Sequence, residues 1–125
     1  MKRDLDLLRN IMLALEEKLD YKATMQNSDL LRMLNIEGLT SEKLNYHLGL
    51  LCESNFIKVE HFEFLGGREM HVIKTITNGG QDFIDTIRQT ETWNIVKAKA
   101  IEVGGFTLSL LAEIGIDYLK KQCGF

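Results

Sequence analysis

The spacing of apolar residues changes partway along this chain, and that change limits the folds open to it. Leu5, Leu8, Met12, Leu15 and Leu19 recur at steps of three and four, followed by Leu30, Leu31 and Leu34, then Leu44, Leu48 and Leu51. Such spacing lines one face of a helix. From Phe56 the pattern gives way to two runs rich in Ile, Val and Phe. These are Phe56 to Leu65 and Met70 to Ile76, with Gly66-Gly67 between them. Strand-like runs around a Gly-Gly pair read as a hairpin. Helical spacing then returns, first with Phe83, Ile84 and Ile87, next with Trp93, Val96 and Ala100, and last with Leu108, Leu111, Ile114 and Tyr118. The expected order is three helices, a hairpin, a helix and two more helices.

Local signals place the boundaries. The first helix is expected from about Arg3 to about Leu19, with Asp4 and Asp6 where negative charge suits the helix dipole. Tyr21 to Asn27 is polar and reads as a loop, and Asn27 or Ser28 can cap the second helix. Gly38 punctuates the chain, and Thr40 is a good N-cap for the third helix. That helix ends near Ser54-Asn55, where Asn tolerates the left-handed backbone of many helix ends. Thr77 or Asn78 caps the fourth. Gly104-Gly105 separates the last two, the second of which starts at about Thr107.

A length of 125 residues fits one domain, and 45% apolar content can build a core without a disulfide or metal. The formal charge of −3 counts against tight non-specific nucleic-acid binding, because phosphate neutralisation supplies much of that affinity. It leaves room for a local basic patch. The two cysteines, Cys52 and Cys123, make no disulfide framework. Cys52 reads as a small core residue and Cys123 as exposed. The opening Met1-Lys2-Arg3-Asp4 does not read as a signal peptide. The uncharged stretch Val103 to Ala112 is about half of a membrane span. The expected setting is a reducing cytoplasm, with no membrane.

Three helices followed by a two-stranded ribbon make the winged variant of the helix-turn-helix, with the third helix as the recognition element. The fold expected is therefore mainly α with a small β-hairpin: a winged-helix domain over residues 1–89 and a helical extension over 90–125. The segment from Leu44 to Ile57 carries His47, Leu48, Leu51, Asn55, Phe56 and Ile57. It resembles the recognition helix and first wing strand of many bacterial winged-helix repressors. Ile76 to Phe83 is similar to the segment that closes their wing. A closer resemblance, over nearly the whole chain, is to an uncharacterised family of small bacterial and phage proteins, a domain of unknown function. It rests on Met1 to Arg9, Tyr46-His47-Leu48, Thr77 to Ile87 with Gly80 and Asp82-Phe83, Arg88, and Trp93 to Lys97 leading to Gly104-Gly105. That resemblance implies a winged-helix fold and frequent residence in phage or prophage genomes. It implies no established activity.

Candidate nucleic-acid contacts follow from the helix faces. With Leu44, Leu48 and Leu51 inward, Lys43, Asn45, Tyr46 and Gly49 face outward. Asn can bond adenine edges, and Lys can reach guanine or phosphate. A plain solvated face would look the same, and Glu42 and Glu53 on this helix repel phosphates. In the hairpin, Lys58, Arg68, His71 and Lys74 stand against Glu60, Glu63 and Glu69. Arg68, beside Gly66-Gly67, is best placed to touch a phosphate or enter a minor groove, or else it is simply a solvated tip residue. Lys2, Arg3 and Arg9 can add phosphate contacts, offset by Asp4 and Asp6.

Other chemistries find no frame. His47, His61, His71, Cys52 and Cys123 include no Cys-x-x-Cys and no His-x-x-x-His. His61 and His71 can be cross-strand neighbours, but two imidazoles alone make a weak site. No metal, cofactor or enzymatic activity is expected. The last helix is apolar on several sides, so it either packs over the first helix or forms a homodimer. The expected function is a phage- or prophage-type transcriptional regulator that binds double-stranded DNA. The alternative is a module that docks on a host protein.

Overall fold

The computed structural model describes residues 1–102 and 107–124. Among them are six helices and a small antiparallel sheet. In chain order these are α1 (Leu5–Lys18), β1 (Met25–Gln26), α2 (Asn27–Leu34), α3 (Ser41–Glu53), β2 (Ile57–Glu63), β3 (Glu69–Ile76), α4 (Asn78–Ile87), α5 (Thr90–Glu102) and α6 (Leu108–Gln122). The chain is thus mainly helical with a small β part, as its apolar spacing implies.

Side-chain caps set several boundaries. The Asp4 carboxylate accepts the Leu7 N–H at 3.1 Å. Asp4 is therefore the N-cap, and α1 starts at Leu5, the first residue of its apolar series, rather than at about Arg3. Thr40 accepts the Lys43 N–H, Thr77 the Gly80 N–H and Thr107 the Leu110 N–H. Asn55 has φ 62° just past the end of α3, the left-handed position expected of it. α2 departs from expectation. Gln26 holds its N-cap position without a side-chain bond, because the Asn27 side chain reaches across to other elements.

The Tyr21 to Asn27 loop needs a correction. Its Met25 and Gln26 pair antiparallel with Ile73 and Val72. The sheet therefore has three strands, in the order β1-β3-β2. Two residues are too few to display a strand period, but burial of Met25 shows why the pairing forms: its side chain joins the core. β2 and β3 form the expected hairpin, with His61 opposite His71 and Glu63 opposite Glu69. Gly66 (φ 94°) and Gly67 (φ 82°) take left-handed backbone at its tip, a conformation that disfavours a side chain.

One apolar cluster runs through the described residues. It joins Leu8, Ile11 and Leu15 of α1 to Leu44, Leu48 and Leu51 of α3, Ile73 of β3, and Phe83 and Ile84 of α4. Trp93, Val96 and Ala100 of α5, with Leu108 and Leu111 of α6, are buried in the same cluster. The C-terminal helices are anchored by polar contacts as well. Trp93 Nε1 donates to Asp6 at 2.8 Å, and Lys97 Nζ donates to the same oxygen at 2.8 Å. Both bonds favour the charged carboxylate, the Lys97 bond most, and they hold Asp6 below its ordinary range. Gly115 lets α6 lie against α4, where an added Cβ would come within 2.9 Å of Thr86 Cβ. Cys52 is half-buried against the core and Cys123 is exposed. The Gly104-Gly105 break lies outside the described residues. Among the described residues, no helix is long and apolar enough to cross a membrane.

Candidate nucleic-acid interface

α3 is fixed on two sides, and that fixing decides which of its residues remain available. On one side stands the start of α1. His47 is fully buried. Its Nε2 accepts the Asp4 N–H at 2.9 Å, and its Nδ1 lies 2.7 Å from the Lys43 carbonyl. The carbonyl can only accept, so the proton sits on Nδ1 and the imidazole is neutral. Lys43 Nζ reaches Asp4 Oδ2 at 3.3 Å. Lys43 is therefore not the free outward cation that its position suggests. An exposed pair of this kind is worth about 0–1 kcal/mol, so a phosphate can compete for it. Lys2 and Arg3 immediately precede Asp4, so the chain holds them beside the same end of α3.

On the other side stands the hairpin. Asn27 Nδ2 donates to Asn45 Oδ1 at 2.9 Å, and Asn27 Oδ1 accepts the His71 N–H at 3.3 Å. Asn27 thereby joins α2, α3 and β3. Among the described residues the Asn45 N–H donors have no partner, but its oxygen already accepts from Asn27. Bidentate pairing with adenine needs that oxygen as well, so Asn45 is better suited to donating than to reading adenine from both sides.

Between α3 and the hairpin tip runs an open groove of about 800 Å³. Asn27, Ser41, Glu42, Asn45, Leu65 and Arg68 line it. The structure thus brings Asn45 and Arg68 to one groove, and Lys43 pairs with Asp4, next to Lys2 and Arg3, on the other side of α3. Tyr46 is 36% exposed, with its ring edge-on to His47 at 5.2 Å between centroids. The basic residues do not form one continuous patch: Glu42 and Glu69 share the groove with Arg68.

Two features escaped the spacing argument. Arg9 does not face outward for phosphate. Its Nε and Nη2 donate to the Ile87 and Arg88 carbonyls at 2.9 and 2.7 Å, where they cap the end of α4. The hairpin tip also carries apolar exposure: Phe62 and Phe64 are exposed and Leu65 is fully so.

A family model described as "Hypothetical protein (DUF2513)" matches residues 2–107. The chain belongs to the DUF2513 family. A curated relative from Haemophilus influenzae, named "Uncharacterized protein", is 31% identical over 124 residues, covering 95% of this chain and 98% of the relative. The DUF2513 match spans the stretches that carried the sequence resemblance, from Lys2 to Arg9, Tyr46 to Leu48 and Thr77 to Ile87. The geometry gives several of them structural duties. His47 binds α3 to α1, Thr77 caps α4, and Gly80 sits where a Cβ would lie 2.0 Å from the Phe56 carbonyl oxygen.

Proposed function

We propose that this protein is a winged-helix transcriptional regulator of the phage or prophage type that binds double-stranded DNA. The observation that carries the reading is the order α1-β1-α2-α3-β2-β3, with the N-terminal half of α3 open along a groove beside the hairpin. In this reading α3 enters the major groove, and Asn45 and Tyr46 meet base edges. Arg68 contacts the backbone or minor groove from the tip, with Leu65 beside it as an apolar edge. Lys2, Arg3 and a released Lys43 hold phosphates on the side of α3 that faces the start of α1. Two-fold operators require two copies. Leu108 and Leu111 already face the core, so a dimer through the C-terminal helices would use Ile101 of α5 and Ile116 of α6, which are exposed.

The test is a fluorescence-anisotropy titration with DNA from upstream of the protein's own gene, across a range of salt concentrations. Specific binding should weaken with salt. It should be abolished by Asn45→Ala combined with Tyr46→Ala. Absence of any binding at low salt would overturn the reading.

A second reading rests on the exposed Phe62, Phe64 and Leu65 and on the acidic residues beside them. Apolar side chains clustered at an accessible tip suit a protein partner. Here the hairpin docks on a host protein. Nuclease-resistant, stoichiometric co-purification of one protein, lost on Leu65→Ser, would favour it.

A further inference from the structure

We propose that His61, Glu69 and His71 form a binding site for a first-row divalent transition metal, zinc above all, across the two strands of the hairpin. His61 and His71 are Cα partners in the β2–β3 ladder, and Glu69 lies two residues from His71 on the same face. The imidazole rings stack at 4.4 Å between centroids with 14° between their planes. Glu69 Oε2 lies 3.8 Å from His61 Nε2 and 3.9 Å from His71 Nε2. One donor atom from each residue falls within 4.8 Å of the others. These separations are too long for hydrogen bonds, so none of the contacts uses up a donor atom's lone pair.

A second observation points to a ligand. His71 Nε2 is buried and, among the described residues, has no hydrogen-bond partner. A buried polar atom of this kind ordinarily finds one.

The donor set selects the ion. Two imidazoles and a carboxylate suit zinc and its neighbours, whereas calcium and magnesium prefer all-oxygen sites. Bonds of about 2.0–2.1 Å in a tetrahedral arrangement put donors about 3.3 Å apart. Closing from the present spacing takes modest side-chain rotation, and the His61 and Glu69 side chains are 42% and 50% exposed and able to move. The ring stack must fan open as it closes, because the nitrogen lone pairs lie in the ring planes. Water supplies the fourth position, as in other sites with three protein ligands. The bound ion would clamp β2 to β3 just below the tip. Glu69 also borders the groove, so the clamp would fix the groove's edge.

The experiment titrates the full chain with zinc against a chromophoric chelator, and separately with cobalt as a spectroscopic probe. One zinc per chain and a cobalt spectrum free of thiolate charge-transfer bands are expected. Removing a group that merely orients a ligand costs about 10–100-fold in affinity. Removing a ligand by His61→Ala is thus expected to weaken binding by at least ~100-fold. Glu69→Gln should weaken it as well, and Cys52→Ser with Cys123→Ser should leave it unchanged. His61 is exposed, so its loss should spare the fold, which circular dichroism verifies. The proposal fails if zinc shows no saturable micromolar binding. It fails equally if His61→Ala or Glu69→Gln binds as well as the parent, or if the cysteine double variant loses the metal. DNA binding is not needed for any of these outcomes.

Discussion

The backbone N–H of Asp4 donates to Nε2 of His47 at 2.9 Å, which ties the residue just before α1 to the middle of α3. One bond thus joins the polypeptide's N-terminal arm to the helix proposed to face DNA. It also explains a histidine that sequence reasoning could place only on a helix. A neutral imidazole buried between two helices can accept at one nitrogen and donate at the other, and here both are used.

Replacing that imidazole should be costly. His47→Ala opens a cavity and leaves the Asp4 N–H without its acceptor. Loss of a buried hydrogen-bond partner costs about 1–3 kcal/mol, and the cavity adds to it. Chemical denaturation of the variant should show a lower midpoint with a stability loss of about 2–4 kcal/mol. An unchanged midpoint would mean that the bond contributes nothing in solution.

Gly79 and Gly80 are adjacent in sequence but should behave in opposite ways. A Cβ on Gly80 would lie 2.0 Å from the Phe56 oxygen and 2.8 Å from its carbonyl carbon, and backbone atoms cannot step aside. A Cβ on Gly79 meets nothing nearer than 3.7 Å. Gly80→Ala should therefore cost about 3 kcal/mol or more, read as a fall in Tm of roughly 10 °C. Gly79→Ala should be neutral or slightly stabilising, because Ala loses less backbone entropy than Gly. Equal Tm values for the two variants would contradict the close approach of α4 to the chain entering β2.

Stability should fall on the acid side in two stages. His71 is held below its ordinary 6.5 by burial first and by His61 second. Between that value and its lower folded value, the unfolded chain binds the proton and the folded one does not. Stability therefore declines as pH drops through this window. Asp6 is shifted below 3.8 by its bonds to Lys97 and Trp93. Its contribution is present above 3.8 and is lost as pH falls toward its folded value. Denaturation midpoints measured from pH 7.5 to 3 should decline below about 6.5 and again in the acid range. His71→Gln should flatten the first decline, and Asp6→Asn the second. A first decline that persists in His71→Gln would assign it to another group.

The architecture was legible where apolar residues repeat over several turns. Leu44, Leu48 and Leu51 point inward as spacing requires, and Gly66-Gly67 turns the hairpin. β1 was not legible, because Met25 and Gln26 are too short to show a period and pair only through tertiary contact. The candidate interface was legible in part. Asn45 lies beside the hairpin groove, but its oxygen bonds Asn27, eighteen residues away, and spacing cannot reveal such a partner. Arg9 and Lys43 share this history: each looked like a free cation, and each is tied to groups distant in sequence. In sequence Glu69 stands only as a charge offsetting the basic residues of the hairpin. The β2–β3 register places it beside His61 and His71.

If the proposed DNA reading holds, Arg68 and Lys43 should differ in how they shape the salt response. Arg68 stands at the exposed tip, and its backbone carbonyl accepts the Phe64 N–H at 2.8 Å to close the turn, which Ala preserves. Its guanidinium can meet a phosphate without giving up the turn. Each phosphate neutralised contributes about 0.9 to the slope of log affinity against log salt. Arg68→Ala should thus lower that slope by about 1 and weaken binding to all duplexes alike. Lys43 must first leave Asp4, so Lys43→Ala should have a smaller effect. Asp4→Asn, which keeps a side-chain oxygen for the α1 cap while removing the charge, should strengthen binding by freeing Lys43. Anisotropy titrations of these variants at several salt concentrations check the ranking. If Arg68→Ala leaves the slope unchanged, the tip does not touch the phosphate backbone, and the exposed Phe64 and Leu65 beside it would then favour the protein-docking reading.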